Sequence, residues 1–304
     1  MERNIIQLNS ITETHQLLGL PKPKHPHVSF FRHRDIGVTA EMGEVYFSLN
    51  MYLIALKDNV GGSMDYGRNK YDFQEGTLVC IGPNQVFSSN YQYKEDSDDW
   101  MLLFSSEFIL ESSLGKTIHD YNFFSYESDE ALHLSDDEKK EISDLATRIE
   151  KESSQNIDKH TQDIILINLE SLLRYTKRFY ERQFYTRVNF NKGYVVDFER
   201  LLREYYSVKN EVTSVPTVAG CAKILNISAP YLSDLLKTET GKTAKEHIDF
   251  YVLKKAKMLL INTRNENISE IAYRLGFEYP NHFSKFFKNK TGLTPKEYRH
   301  ISIC

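Results

Sequence analysis

The stretch NISEIAYRLGFEYPNHFSKFFKNKTGLTPKEYR, residues 267–299, decides the fold of the second half of the chain. Its first apolar side chains recur at helical spacing: Ile268, Ile271, Ala272 and Leu275. Asn267 and Glu270 have the spacing of a capping box, which marks the start of a helix. Gly276 follows the last apolar residue, and glycine adopts the left-handed conformation of a helix end without strain. The pattern therefore predicts a short helix that ends at a glycine turn.

A second helix is predicted from about residue 280 to residue 290, with one apolar and one polar face. The apolar face is predicted to be core and holds three aromatic residues: Phe283, Phe286 and Phe287. The polar face holds Asn281, His282, Ser284, Lys285 and Lys288. A helix, a glycine turn and a helix with a hydrogen-bonding outer face are typical of a helix-turn-helix that reads DNA.

The same pattern occurs about fifty residues earlier in the chain. Val218, Cys221, Ala222 and Leu225 correspond to the four apolar residues of the later copy. The segment KTETGKTAKEHI (237–248) then corresponds to KNKTGLTPKEYR (288–299), with a shift of fifty-one. The single extra residue falls in the turn. The sequence therefore predicts two helix-turn-helix units, at about 217–241 and 267–292.

Between the two units, residues 243–260 are predicted to form one long helix. Eighteen residues at ~1.5 Å each span ~27 Å, which is close to the ~34 Å of one DNA turn. A rigid helix of this length would hold two recognition helices over successive major grooves.

The charge distribution agrees with one DNA-contacting domain. Residues 193–304 contain 17 basic and 12 acidic side chains, a net charge of +5, although the whole chain has −4. The remaining residues, 1–192, therefore have a net charge of −9. An acidic N-terminal part and a basic C-terminal part are expected when only the C-terminal part contacts phosphate.

Residues 28–104 are predicted to be β-structure, because short β-branched or aromatic runs alternate with turn residues. These runs are VSFFRHR (28–34), EVYFSLNMYLIALK (44–57), GTLVCIG (76–82), QVFSSNYQY (85–93) and DWMLLF (99–104). Their regular spacing favours a sandwich or small barrel. Alternation suggests that the following residues face inward, as core or as an effector pocket: Phe47, Leu49, Met51, Leu53, Tyr71, Leu78, Cys80 and Trp100.

Two amphipathic helices follow, within about 135–182. Ser135 and Glu138 form a capping box for the first, and the second has an apolar stripe of Ile165, Leu169, Leu172, Thr176 and Phe179. Such a hairpin buries its stripe against its own barrel or against a second subunit. A polar and aromatic segment at 183–192 is predicted to be a linker.

Several function classes lack their sequence signals. The three cysteines are scattered without CxxC pairing, which indicates a reduced, cytoplasmic protein without a disulfide framework, and Cys221 is predicted to be core. The segment MERNIIQLNSITETHQ is expected to be neither a signal peptide nor a membrane anchor. His25 and His27 have HxH spacing, but no glutamate follows at cupin-like spacing, so no metal or cofactor is expected.

The C-terminal stretch resembles the signature of the AraC/XylS transcription regulators. ISEIAYRLGFEYPNHFSKFFKNKTGLTPKEYR retains the skeleton I-x-x-I-A, G-F, F-K, G-x-T-P and Y-R. The segment VAGCAKILNISAPYLSDLLKTETGKTAKEHI is similar to the family's first helix-turn-helix. Residues 28–182 resemble its regulatory part, a cupin-type β-barrel followed by two dimerisation helices. The resemblance implies a homodimer that binds double-stranded DNA and contacts RNA polymerase, with a small effector in some members.

The resemblance also implies which residues face DNA. In the second unit they are Asn281, His282, Ser284 and Lys285, with Lys288 near phosphate. In the first unit they are Pro230, Ser233 and Asp234, with Lys237 nearby. Asp234 departs from the pattern, since a carboxylate cannot make the bidentate contact of an arginine to guanine. The first unit is therefore expected to read fewer bases than the second.

These expectations combine into an α+β protein. Residues 1–182 form a regulatory domain with a cupin-like barrel (about 28–104) and dimerisation helices (about 135–182), and residues 193–304 form an all-α DNA-binding domain with two helix-turn-helix units joined by a long helix. The predicted function is a sequence-specific, non-enzymatic regulator of transcription, with activation favoured by the resemblance. Two alternatives stay open: a metal-dependent cupin enzyme, and a small-molecule-binding module whose helices contact protein instead of DNA.

Overall fold

The computed structural model describes residues 5–37, 46–57, 76–88, 98–126, 130–186, 188–206, 212–263 and 266–301. The chain divides into two compact units, Met1–Arg187 (the N-terminal unit) and Val188–Cys304 (the C-terminal unit). The N-terminal unit contains β-sheets, whereas the described part of the C-terminal unit contains only helices. The predicted α+β class is therefore confirmed.

Eight strands form two sheets among the described residues of the N-terminal unit. The three-stranded sheet has the order β1-β3-β6, with β1 at Ile5–Leu8, β3 at Tyr46–Leu49 and β6 at Val86–Ser88. The five-stranded sheet has the order β2-β7-β4-β5-β8, with β2 at Val28–Arg32, β7 at Trp100–Phe104, β4 at Tyr52–Lys57, β5 at Gly76–Ile81 and β8 at Leu132–Leu134.

The described strands do not close into a barrel, so the predicted cupin-like barrel is not confirmed. Two of the strands also lie outside the predicted range of 28–104. β1 precedes that range and pairs in parallel with β3, whereas β8 follows it and pairs with β5. Both pairings join segments far apart in the chain, which local alternation cannot predict.

The central strand β4 is buried on both faces. Leu53 and Ala55 belong to the apolar cluster that also contains residues of the three-stranded sheet, while Ile54 and Leu56 on the other face are also buried. Of the positions predicted to face inward, Tyr71 lies outside the described residues, and Phe47, Leu49, Met51, Leu53, Leu78, Cys80 and Trp100 are all buried.

Six short helical segments and a helical hairpin complete the described part of this unit. The short α-helices are α1 (Ile11–Leu17), α2 (Ser106–Ile109) and α3 (Ser113–Thr117), and the 3₁₀ segments are His33–Asp35, Ile118–Asp120 and Asn122–Ser125. The hairpin consists of α4 (Asp136–Ser153) and α5 (Thr161–Thr186). Its predicted stripe of Ile165, Leu169, Leu172, Thr176 and Phe179 is buried.

The end of α5 is fixed by buried polar contacts. The Arg182 guanidinium donates to both carboxylate oxygens of Glu138, at 3.1 and 2.6 Å, and to the His133 carbonyl oxygen at 2.7 Å. The Gln183 amide donates to the Ala131 carbonyl oxygen and accepts from the His133 backbone N–H. Glu138 also caps α4 with Ser135, as predicted.

The predicted linker at 183–192 contains the boundary between the two compact units, between residues 187 and 188, and the residues on both sides of it are helical. Residues up to Thr186 continue α5, and α6 begins at Val188. The polar residues that suggested an exposed connection include Gln183, which is fully buried and hydrogen-bonded. A polar side chain that is satisfied inside a fold looks, in the sequence alone, like one that is solvated.

His25 has a structural role in the N-terminal unit. Its Nδ1 accepts hydrogen bonds from the backbone N–H groups of His27 and Val28, both at 3.1 Å. These contacts hold the turn that leads into β2.

The C-terminal unit consists of seven helices within its described residues. They are α6 (Val188–Tyr205), α7 (Val218–Ile224), α8 (Ala229–Thr240), α9 (Ala244–Asn262), α10 (Ile268–Arg274), α11 (Pro280–Thr291) and α12 (Pro295–Ile301). The predicted long helix is α9, and it runs unbroken for 19 residues. A capping box of Thr243 and Glu246 starts this helix.

Candidate nucleic-acid interface

The predicted repeat is present as two helix-turn-helix units, α7–α8 and α10–α11. In each, the first helix ends at a residue with left-handed backbone, Asn226 (φ 54°) in the first unit and Gly276 (φ 86°) in the second. The next backbone N–H then bonds back to the helix: Ile227 to the Ala222 carbonyl at 3.1 Å, and Phe277 to the Ala272 carbonyl at 3.0 Å. This is the hydrogen-bond pattern of a Schellman turn.

The recognition helices α8 and α11 also end alike. Each is followed by a left-handed glycine, Gly241 and Gly292. The preceding threonine hydroxyl donates to a carbonyl one turn back, from Thr240 to Leu236 at 2.7 Å and from Thr291 to Phe287 at 2.8 Å. The same local chemistry therefore fixes where both recognition helices stop.

Aromatic side chains hold α11 against its neighbours. Phe283 and Phe287 are completely buried, in a cluster with residues of α9 and α10 that includes Ala256, Leu260 and Ile271. The core prediction is confirmed for these two, whereas Phe286 is only half-buried and lies against Phe277.

The outer face of α11 presents the predicted polar residues. Asn281, His282, Lys285 and Lys288 are exposed, and Ser284 is half-buried. Across the described ranges, the side chains of Asn281 and Lys285 make no hydrogen bond or ion pair. They are therefore available to a ligand in the conformation that the helix gives them.

The corresponding face of α8 is less accessible. Pro230, Ser233 and Asp234 are half-buried, and Lys237 is exposed. Ser228 caps the helix by accepting from the Tyr231 backbone N–H. Fewer exposed hydrogen-bonding groups therefore lie on this face than on α11.

A glutamate lies near a lysine in the C-terminal part of each recognition helix. A hydrogen bond from the Thr243 backbone N–H lowers the pKa of Glu246, and the charges of Lys290 and Lys237 lower it further. A hydrogen bond from the Thr294 backbone N–H lowers the pKa of Glu297, with a further contribution from Lys288. Lys237 and Lys288 thus occupy equivalent electrostatic positions in the two units.

One exposed aromatic residue next to α11 was missed by the sequence reasoning. Tyr279 immediately precedes Pro280, is 54% exposed, and places its ring 5.3 Å from that of His282. Its position directly before the first helical proline was the available signal, because the residue at a helix start lies beside the helix's first outward-facing side chains.

The described residues also bear on three other kinds of feature: reactive cysteines, metal sites and membrane-spanning helices. Cys221 is buried among apolar side chains, and burial raises the pKa of its thiol to about 11, in agreement with the predicted core role. No three His, Cys, Asp or Glu residues among those described lie together as a metal site would require. None of the described helices combines the length and apolar character needed to cross a membrane.

Comparison with known proteins identifies the C-terminal region. A family model described as a helix-turn-helix domain matches residues 221–301. The HTH-type transcriptional activator RhaS of Enterobacter sp. is 37% identical over 78 residues, which cover 26% of this chain and 28% of that protein. Histidine kinase P4 of Formosa agariphila is 34% identical over 104 residues, which cover 34% of this chain and 8% of that protein.

A solved structure covers the same region. The C-terminal domain of the response regulator yesN from Fusobacterium nucleatum is 29% identical, covers 33% of this chain and 96% of its own, and has a TM-score of 0.29. The chain spans less than half the length of the curated relatives it matches. Residues 221–301 therefore form a helix-turn-helix domain of the AraC type, similar to the corresponding domain of these regulators.

Proposed function

We propose that the chain is a sequence-specific, DNA-binding regulator of transcription, and specifically an activator. The observation that carries the proposal is the pair of helix-turn-helix units joined by the unbroken helix α9. Its 19 residues span roughly 28 Å, close to the ~34 Å between major-groove faces one DNA turn apart. Relatives named as a transcription activator of the lactose operon and as RhaS support activation.

In this proposal α11 supplies most of the base reading. The Asn281 amide matches the donor and acceptor edge of adenine, and the Lys285 ammonium matches the acceptors of guanine. His282 and Ser284 add further donors and acceptors on the same face. Lys288 and, on α8, Lys237 attract phosphates in a salt-dependent way.

The first recognition helix contributes less to base reading. Ser233 is half-buried, and the Asp234 carboxylate is only an acceptor, which can bind the amino group of cytosine but repels phosphate. We therefore assign α8 mainly to positioning on the DNA backbone, through Lys237.

Removing a base-reading side chain should weaken operator binding selectively. Asn281→Ala and Lys285→Ala are each expected to cost about 1–3 kcal/mol of specific binding. Because both side chains are exposed, the thermal unfolding midpoint should stay unchanged. Titration of a labelled operator duplex at fixed salt measures the effect, with Lys254→Ala on α9 as a charge-matched control. If both variants bind the operator with the affinity of the parent, α11 is not part of the DNA interface.

We further propose that the N-terminal unit makes a homodimer through the α4–α5 hairpin. Ile164 and Ile167 project from α5 with 40% and 65% of their surfaces exposed, on the side opposite its buried stripe. A dimer would place two DNA-binding units on paired half-sites and raise the effective concentration of the second.

An effector would fit a cleft in the same unit. The cleft has a volume of about 450 Å³, and Tyr52, Asn84 and Tyr121 are among its lining residues. Two hydrogen bonds fix its walls: from the Gly82 N–H to the Phe124 carbonyl at 3.0 Å, and from the Gln85 amide to the Tyr126 carbonyl at 2.9 Å. Within this proposal the protein acts in the cytoplasm and contacts RNA polymerase, and it needs no cofactor.

Selection of bound duplexes from a random pool tests the proposed function. The full chain should enrich sites with two short conserved segments about one helical turn apart, with the stronger preference in the segment read by α11. Pairs of such sites would indicate a dimer. Enrichment of no sequence would contradict sequence-specific binding and would favour a protein-contacting role for the helices.

A further inference from the structure

An ion pair joins the long helix α9 to the end of the second recognition helix. The Asp249 carboxylate accepts from Lys245 of its own helix at 2.5 Å and from Lys290 of α11 at 2.9 Å. Its side chain is 13% exposed, so water screens the pair only in part. The Lys290 contact is the one that crosses between helices, because Lys245 lies one turn earlier on α9.

The first unit has a contact at the equivalent place. The Asn191 amide on α6 donates to the Glu239 carboxylate, near the end of α8, at 2.9 Å. Glu239 and Lys290 are the same position of the repeat, fifty-one residues apart. Asn191 is completely buried, and it lies fifty-eight residues before Asp249.

The repeat therefore extends to the supporting helices α6 and α9. Two buried residues of α6 align with two of α9 at the same spacing of fifty-eight: Phe198 with Ala256 and Leu202 with Leu260. The shift between α7 and α10 is fifty, and the eight additional residues lie between α6 and α7: Leu202 is sixteen residues before Val218, whereas Leu260 is eight before Ile268. Each helix-turn-helix unit thus rests on a supporting helix, and one polar contact joins that helix to the last turn of the recognition helix.

We propose that Asp249 and Asn191 are matched positioning residues, which set the direction in which each recognition helix leaves its supporting helix. This inference rests on the proposed DNA-binding function. The two contacts use opposite chemistry at the recognition helix, a lysine in the second unit and a glutamate in the first. The Lys290 charge is consequently engaged with Asp249, unlike that of Lys288, and acts on DNA through the placement of α11.

The test exploits the two natural versions of the contact. Lys290→Glu in the full chain places a carboxylate against Asp249 and should weaken binding to the selected duplex about tenfold or more, since residues in direct contact couple strongly. Asp249→Asn should weaken it less, because the amide oxygen still accepts from Lys290. The double variant D249N/K290E recreates in the second unit the Asn–Glu pair of the first, and should recover affinity to within about threefold of the parent.

A second readout separates positioning from simple stabilisation. Affinity is measured for duplexes in which the two contacted segments are one base pair closer or one base pair farther apart. The parent should discriminate among these spacings, K290E should lose that discrimination, and D249N/K290E should regain it. Lys245→Met is the matched control, because it removes the partner of Asp249 within α9 and leaves the contact to α11; it should behave as the parent.

Two results would overturn the inference. If D249N/K290E binds as weakly as K290E, Lys290 contacts phosphate directly and its pairing with Asp249 is incidental. If K290E binds and discriminates as the parent does, the contact has no positioning role. Failure of the parent itself to bind any duplex would instead refute the proposed function, so the two failures are distinguishable.

Discussion

Replacing Phe287 with alanine is expected to lower the free energy of unfolding of the C-terminal unit by about 3–5 kcal/mol. The side chain is completely buried, with its ring 5.9 Å from that of Phe283 and 5.3 Å from that of Tyr298. Alanine would leave a cavity among α9, α10, α11 and α12. Because a whole domain is marginally stable, a loss of this size should leave the unit largely unfolded near 37 °C.

The position of the single tryptophan allows this loss to be localised. Trp100 is buried in the N-terminal unit, so its fluorescence reports that unit, while far-UV circular dichroism also follows the helical C-terminal unit. Phe287→Ala should lower the denaturant midpoint of the dichroism transition and leave the Trp100 transition in place. Phe286 is only half-buried, so Phe286→Ala should lower the free energy of unfolding clearly less than Phe287→Ala does. Equal effects of both variants would contradict the assignment of Phe287 to the core.

Replacing Gly276 with alanine is the second change with a large expected effect, about 2–4 kcal/mol. The residue has φ 86°, which disfavours any L side chain. A Cβ at this position would also lie well inside the van der Waals distance of the Ser214 carbonyl group. That neighbour is backbone, so relief requires movement of the segment that leads into α7.

Gly292→Ala is the matched control for this prediction. Gly292 has a similar φ of 79°, but nothing lies within 4 Å of a Cβ built on it. Gly292→Ala should therefore lower the free energy of unfolding only through the unfavourable left-handed backbone, by about 1–2 kcal/mol. Chemical denaturation of the two variants measures the difference. If Gly276→Ala is no more destabilising than Gly292→Ala, the close approach to Ser214 does not constrain the turn.

The sequence predicted the C-terminal unit well because its signals are local. Capping boxes, left-handed turn positions and apolar spacing all act within one or two helical turns, and the repeat supplied them twice. Asn226 shows the limit of such signals: it occupies the left-handed position that Gly276 takes in the second copy, yet its residue type alone does not mark a turn.

The N-terminal unit was predicted less completely because its organisation depends on distant pairings. The strands within 28–104 were visible from alternation, but β1 and β8 join their sheets through contacts across the chain. Gln183, at the start of the predicted linker, shows the same dependence, because its hydrogen-bond partners lie about fifty positions earlier in the chain.

Within the candidate interface, the exposed face of α11 was predictable from helical periodicity. The contacts that position this helix were not, because the pairs Asn191–Glu239 and Asp249–Lys290 join residues more than forty positions apart. Lys288 and Lys290 also look equivalent in the sequence. Only the structure shows that Lys290 is paired with a carboxylate of another helix.

The salt dependence of binding to the selected duplex tests most directly whether the C-terminal unit binds DNA. Each phosphate neutralised contributes about −0.9 to the slope of log affinity against log salt concentration. The parent should show a steep negative slope, and Lys288→Gln should reduce its magnitude by about 1. An affinity for duplex DNA that is independent of both salt and sequence, or no binding at all, would contradict the account.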